Sequence, residues 1–430
     1  MRNKLITFII ISLFSFVYTA TAQKLIDSPY SRFNIGTLQP QGSFKSLGMG
    51  GVSTAMRDNT SIYFSNPASY SSLDTNSFVF DFGLDYGRNY ISGASSKFSS
   101  DDINFQHLIM GFPLAKGWGF AVGIVPASSG YYNITGSVTV NSPDYNPNVG
   151  EYKIVHSGTG GISKIFLGSG VRILKNLSLG ANFTILTGQI NRTNQFVFSS
   201  SSDFYSTFHN DSQEHFELMG FGFDYGLQYT IPLKKNYFVN LGVSLSSNSN
   251  YNSKYNQLSM KYTAYGISDT VSYTSITSAK TYIPGTLSVG ISFGKKNKFT
   301  AGLDYVATKW SAARIPGSTG YAADTKSIQF GAEFIPDKFS NYSYLSRVQY
   351  RIGGHFGDNY LIINGEQIKE FGASVGVGVP LPRTQSVANI YFDFTRKSGS
   401  LSNSLHNEDY ISLGFSLNFY DLWFVKRKYE

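Results

Sequence analysis

The chain of 430 residues has no cysteine. Disulfides, thiolate metal centres and a lipidated N-terminal cysteine are therefore excluded, and an exported chain of this kind is held by size, packing or a membrane. Charge is scarce: Asp, Glu, Lys and Arg make up 14% of residues, against ~25% in ordinary globular proteins. After the first two dozen residues no run of about 18 apolar residues occurs, so no transmembrane helix is available. The formal charge is +8, yet Lys and Arg fall in short clusters with no continuous basic stripe. Nucleic acid is not an expected partner; the charge fits ordinary solubility or membrane-surface contact. Enzyme signals are thin. No Gly-x-Ser-x-Gly elbow stands at a strand-to-helix turn. The six His are scattered, and only His209 and His215, with Asp211 and Glu214, share one expected polar outer loop. Solvation is the simpler role for such loop residues, so no metal, cofactor or catalytic residue is expected.

What the sequence does contain is aromatic and small. Aromatic residues reach 16%, with 30 Tyr and 35 Phe, and Gly numbers 43. Residues 1–22 have a basic start, an apolar run from Leu5 to Val17 and an Ala20-Thr21-Ala22 end. This is the layout of a secretory signal peptide cleaved before Gln23. Further on, period two dominates. Phe221, Phe223, Tyr225, Leu227 and Tyr229 alternate with Gly222, Asp224, Gly226 and Gln228. The same alternation runs through Phe78–Tyr86, Phe371–Val379 and Ile411–Phe419. Period two sends the two sets to opposite faces of a sheet. A soluble sandwich would bury the bulky face against a second sheet and turn Lys and Glu outward. Here the other face is Gly, Ser, Asn and occasional Asp, which suits a lumen, with the bulky face toward lipid.

Strands are expected at 76–92, 102–113, 117–136, 152–173, 177–198, 214–231, 237–252, 281–294, 298–312, 324–335, 346–361, 365–380, 387–398 and 407–419. The count of fourteen is even, as single-chain bacterial outer-membrane barrels require. Connections after even-numbered strands are mostly short, such as Leu174-Lys175-Asn176, and most of those after odd-numbered strands are longer and polar, such as 253–280. That alternation places the short turns and the N-terminus in the periplasm. The reading is an all-β, fourteen-stranded antiparallel transmembrane barrel over 75–420, with a basic periplasmic tail at 421–430. Inward parity gives the lumen Asp81, Asp85, Asp224, Asp304, Glu333, Arg347, Arg351 and Asp393, with Glu333 and Arg347 placed to pair across a turn. These charges form either an internal network that fixes the barrel or a polar relay along a substrate path.

Residues 23–74 do not alternate. Gly48-Met49-Gly50-Gly51, Asp58-Asn59 and Asn66-Pro67-Ala68 suggest a compact run of short helices and turns. Such a segment is too short for a stable domain of its own, and its natural place is inside the barrel as a plug. In the third strand, Pro126 and Gly130 interrupt a good alternation, because Pro cannot donate to a ladder and Gly weakens pairing.

Gly48, Gly50, Gly51, Asp58, Asn66, Pro67 and Ala68, ahead of fourteen strands, resemble the FadL/TodX family of outer-membrane transporters for hydrophobic compounds. The opening Ser28-Pro29-Tyr30-Ser31-Arg32 looks like a divergent subgroup of it. The resemblance implies that the N-terminal segment is a hatch. It also implies an inward kink in the third strand, through which substrate leaves sideways into the membrane; Pro126 and Gly130 would form that lateral gate. The alternative for Pro126 and Gly130 is a bulge at the barrel rim. The long outer helices that form the ligand groove in well-known members are not evident.

Two functions follow as expectations. The first is passive uptake of hydrophobic small molecules, of the long-chain fatty acid or aromatic hydrocarbon type, across the outer membrane of a Gram-negative bacterium. The second is a FadL-like barrel serving as a binding, assembly or secretion-system component without transport. Expected partners are outer-membrane lipid and lipopolysaccharide, a hydrophobic ligand, and the barrel-assembly machinery during insertion; the oligomeric state is left open.

Overall fold

A computed structural model describes residues 28–423 apart from 94–96, 144, 199–208, 264–267, 319–321, 364 and 400–406. The expected signal peptide, and the expected tail beyond Trp423, lie outside the described residues. Ahead of the barrel come a two-residue strand β1 (Thr37–Leu38), one short helix α1 (Phe44–Leu47) and 3-10 turns at Pro29–Arg32 and Pro67–Ser72. The strands that follow are β2 (Ser77–Ser92), β3 (Lys97–Ala115), β4 (Trp118–Ser129), β5 (Tyr132–Val138), β6 (Tyr152–Arg172) and β7 (Leu177–Phe198). Next are β8 (His209–Pro232), β9 (Tyr237–Ser246), β10 (Ser249–Tyr262), β11 (Ser268–Ile283), β12 (Thr286–Lys295) and β13 (Phe299–Thr308). The last are β14 (Thr325–Phe334), β15 (Gln349–Ile363), β16 (Glu366–Pro380), β17 (Val387–Ser398) and β18 (Asn407–Leu422).

Every neighbouring pair is antiparallel, and β18 pairs with β2 from Asn407↔Ser92 to Leu422↔Ser77, which closes the ring. Three strands are broken. β4 and β5 both pair with β6, and β9 and β10 both pair with β8. β12 pairs with β9 while β11 pairs with β10. Counted as continuous strands, the described residues make a closed barrel of fourteen.

The barrel is apolar outside and polar inside. On β8, Phe221 and Tyr225 are 57% and 49% exposed, while Asp224 and Gln228 are 5% and 0% exposed. That inversion is stable only if lipid covers the outside, since a continuous apolar band in water would be an aggregation surface. An aromatic girdle marks the short-turn rim: Trp423 stacks on Phe78 at 4.2 Å, and Phe293 packs on Tyr237 and Phe299 at 5.8 and 5.7 Å. Basic clusters of the sequence sit at the same rim, with Lys295 over Tyr237 at 5.4 Å and Lys298 over Phe334 at 5.8 Å. Lys and Arg at that height reach the headgroup layer while their stems stay on apolar surface.

Several expected boundaries are corrected. The 253–280 stretch is not a loop; β10 and β11 carry most of it as a hairpin that extends the wall. β3 begins at Lys97, earlier than expected, and β13 ends at Thr308, followed by a 3-10 turn at Trp310–Ala312. β18 reaches Leu422, so Asp421 and Leu422 belong to the wall and not to a tail. His209 and His215 lie on β8, not in a loop, and His215 Nδ1 sits 2.5 Å from Asn191 Oδ1 on β7.

Candidate functional site

The N-terminal segment lies within the ring of strands, pressed on its inner face. Its first fixed point is the glycine-rich turn after α1. Gly50 and Gly51 have φ of +71° and +92°, a region costly for residues with a Cβ, and Gly50 N–H donates to Ser374 Oγ at 2.9 Å. Asp304 Oδ2 on β13 accepts from the N–H groups of Ser53 and Thr54, both at 2.7 Å. The second fixed point is Asn66-Pro67-Ala68. Asn66 caps the Pro67–Ser72 turn through Oδ1, which accepts from Ala68 N–H at 3.1 Å. Its Nδ2 donates to Thr54 O at 2.7 Å and to Val243 O, in β9, at 3.2 Å. One side chain therefore ties the turn, the segment and the wall together.

Glycines on the inward parity make this approach possible. A Cβ on Gly226 would stand 2.1 Å from Asn66 Oδ1, and one on Gly180 would stand 2.3 Å from the Pro67 carbonyl carbon. On the far side, a Cβ on Gly353 would stand 2.2 Å from the Met49 carbonyl carbon. The small residues that alternate with Phe and Tyr along the strands are thus contact surface for the inner segment.

A buried ion network joins segment to wall. Lys45 of α1 is hydrogen-bonded to Asp58 and lies 3.6 Å from Glu333. Glu333 accepts from Arg351 Nε at 2.7 Å, and Arg351 Nη1 donates to Asn389 Oδ1 at 2.8 Å. Two acids and two bases balance, which is the condition under which burial of charge is tolerable. Burial alone would raise the Asp58 carboxyl, but the Lys45 ammonium outweighs it and holds Asp58 well below the usual carboxylate range. For Lys45 burial works against the charge, and Asp58 and Glu333 reverse the balance and raise it. The partner expected for Glu333 is corrected: Arg347 sits in a 3-10 turn before β15 and stacks on Tyr344 at 4.9 Å, and Arg351 makes the pair instead. The strand begins two residues beyond Arg347, so its parity no longer places it in the lumen.

The other expected lumen charges do face inward. Asp81 is buried 3.2 Å from His107 Nε2, Asp224 accepts from Lys164 at 2.7 Å, and Asp393 accepts from Thr395 Oγ1 at 2.7 Å. Asp85 lies 3.4 Å from both the Tyr410 and Ser412 hydroxyls. Between the inner segment and the upper wall remains a cavity of about 540 Å³ whose lining includes Asp85, Asp224 and Asp393.

The wall opens between β3 and β4. The two strands pair from Ala115↔Trp118 to Leu108↔Ile124. Above that point β3 continues against β2 alone among the described residues, from Leu84↔Phe105 to Ser92↔Lys97. β4 keeps its bond to β6 but bulges between Pro126 and Ser128, and its freed edge is taken by β1, with Leu38↔Ser128 and Thr37↔Ser129. Gln39 N–H donates to Ala127 O at 3.0 Å and Gln41 Nε2 to Pro126 O at 2.9 Å. Gly130 N–H is held by Gly160 O at 2.9 Å, so Gly130 closes the bulge on the β6 side. The proline has no N–H to leave unpaired at the break. Asn104 and Gln106 on one lip, and Ala127 and Ser129 on the other, line the cavity, so the lumen and the opening are continuous. Lys45, Gln41 and β1, which carry much of this arrangement, gave no sequence signal: a lone Lys in Ser43-Phe44-Lys45-Ser46 resembles any surface residue.

A family model described as BamG matches residues 1–430. The chain belongs to the BamG family. No curated protein sequence matches it. Its fold is that of the FadL/TodX outer-membrane barrels, from which this BamG member has diverged in sequence. The Ralstonia pickettii toluene transporter TbuX superposes with a TM-score of 0.59 at 13% identity, covering 88% of this chain and 98% of that one. A Pseudomonas aeruginosa FadL homologue gives 0.58 at 13% identity, covering 90% and 100%. The Pseudomonas putida toluene transporter TodX gives 0.57 at 15% identity, covering 91% and 100%. Two of these structural neighbours are toluene transporters. At such identity the likeness carries the fold and leaves the cargo to be argued from this BamG chain's own residues.

Proposed function

We propose that this protein is a passive channel for hydrophobic small molecules in the outer membrane of a Gram-negative bacterium, with exit sideways between β3 and β4. The observation that carries the reading is the continuity of the lumen cavity with both lips of the wall opening. Unpaired backbone at membrane depth is tolerable where a cavity or an inner segment supplies partners, and here β1 supplies them. Ile124 stands six residues above Trp118, or roughly 20 Å at the usual strand rise. With barrel tilt that falls to about 15 Å, inside an apolar band of ~25 Å. The segment over 28–73 acts as the plug, and Pro126 and Gly130 as the gate. Outer-membrane lipid and lipopolysaccharide surround the apolar face, and the barrel-assembly machinery inserts it.

Replacing 126–130 by an alternating Val/Ser strand tests this. Hydrogen exchange should report new β3–β4 pairing, uptake of a hydrophobic probe into proteoliposomes should fall, and leakage of a polar solute should not change. Undiminished probe uptake through a wall verified as closed would remove the lateral exit. It would promote the second reading, a binding or assembly component that does not transport. The occupation of the β4 edge by β1 itself favours that second reading.

A further inference from the structure

We propose that the lumen cavity takes organic cations, hydrophobic amines in particular, and disfavours fatty-acid anions. The inference rests on the reading of the lumen as a ligand site and names the class of ligand. The chain as a whole carries a formal charge of +8. Its cavity is the reverse: the described lining holds seven carboxylates against two lysines and one histidine, His355, which lies 3.8 Å from Glu370 and shares the Thr395 hydroxyl with Asp393, and it holds no arginine. One lysine, Lys164, is committed to Asp224 at 2.7 Å. The other, Lys397, stands in register between Glu370 and Glu408 on the two adjoining strands.

That leaves carboxylates with no lysine or arginine to neutralise them. Asp85 and Asp393 have no ion-pair partner among the described residues. Asp85 is 6% exposed, and among the described residues its Oδ2 has the two long contacts to Tyr410 and Ser412 while its Oδ1 has no hydrogen-bond partner. A buried carboxylate oxygen without a donor is costly unless something else supplies one. Asp85 and Asp393 flank β18, where Ser412 and Gly414 stand in register beside them. The same cavity is lined by the aromatic side chains Trp310, Tyr360 and Tyr251. Trp310 and Tyr360 pack with ring centroids 4.9 Å apart. Carboxylates and aromatic rings sharing one chamber are the combination that recognises an ammonium group on an apolar body, through ion pairing and attraction to the ring faces. Low-dielectric walls focus the negative field into the chamber. A carboxylate ligand of the same shape would meet like charge there.

Trp310 offers a direct readout. The chain has three tryptophans, and the other two, Trp118 and Trp423, lie at the short-turn rim, outside the lining. In purified full-length protein with W118F and W423F, Trp310 fluorescence is titrated with 4-phenylbutylamine, 4-phenyl-1-butanol and 4-phenylbutyrate. The amine should bind about tenfold more tightly than the butyrate. D85N should cut amine affinity about tenfold and leave the alcohol unchanged. Butyrate binding equal to or tighter than the amine overturns the inference, as does an equal loss of amine and alcohol in D85N. If the alcohol binds while the amine gains nothing over it, the charge preference fails and the hydrophobic channel stands. If none of the three binds, the reading of the lumen as a ligand site fails with it.

Discussion

Lys45→Met should both loosen the inner segment and reverse its response to pH. In the native protein Asp58, Lys45, Glu333 and Arg351 balance two negative charges against two positive ones. The Lys45 and Asp58 side chains are 8% and 18% exposed. Methionine keeps the bulk of the lysine stem and removes its charge, so Arg351 retains Glu333 while Asp58 loses its cation. Breaking a buried pair from one side costs about 3–5 kcal/mol. At about 3 kcal/mol, the population of detached segment rises roughly 150-fold. The sign of the pH effect follows from Asp58. Its folded pKa is depressed, so its contribution is fully present above the unfolded carboxylate value. That contribution is lost only as pH falls through the folded value in strong acid. The Asp58 contribution to attachment in the native protein is therefore flat from about pH 5 to 8. In Lys45→Met, burial, the largest influence on Asp58, is opposed only by the Thr60 hydrogen bonds and the more distant Lys338, and it lifts Asp58 above its unfolded value. Attachment is then strongest in acid and weakens as pH rises, by up to about 1.4 kcal/mol for each unit of upward shift. Hydrogen exchange of 44–73 at pH 5 and pH 8, with bilayer conductance in parallel, reads both quantities. A variant that exchanges like the parent, or that loosens equally at both pH values, would refute the network as the anchor.

Gly180→Val places a side chain against the Pro67 carbonyl and the Ala68 amide. The barrel should still insert and show heat-modifiable migration, while conductance to small ions rises because the inner segment is displaced; unchanged conductance would show that the segment does not occlude the lumen. Because the chain has no native cysteine, single cysteines at Lys116, in the β3–β4 turn, and at Ser272, on β11, report topology without background. An impermeant maleimide applied to intact cells should label Ser272→Cys and spare Lys116→Cys. Labelling of both would reverse or abolish the proposed orientation.

The parts of this architecture that were legible in the sequence are those where the two faces of a strand meet different media. β8, β16 and β18 sit between lipid and inner segment, so bulky and small residues alternate and the period shows. The signal fails where both faces meet the same medium. On β11, residues 268–278 are exposed throughout, no parity is enforced, and the Ser/Thr-rich stretch read as a loop. Parity also fixes a face only once the strand is known to have begun. Arg347, Gln349 and Arg351 share one parity, but the 3-10 turn at Leu345–Arg347 delays the strand and gives Glu333 to Arg351. The motifs Gly50-Gly51 and Asn66-Pro67-Ala68 were legible because backbone geometry restricts the residue type at each place. Lys45 was not, because a lysine becomes distinctive only through the two acids placed around it, and those arrive from 13 residues away within the segment and from the far wall. The opening stands between these cases. Pro126 announced a broken ladder, while its meaning depended on β1, two residues of no particular character that occupy the edge the proline cannot share.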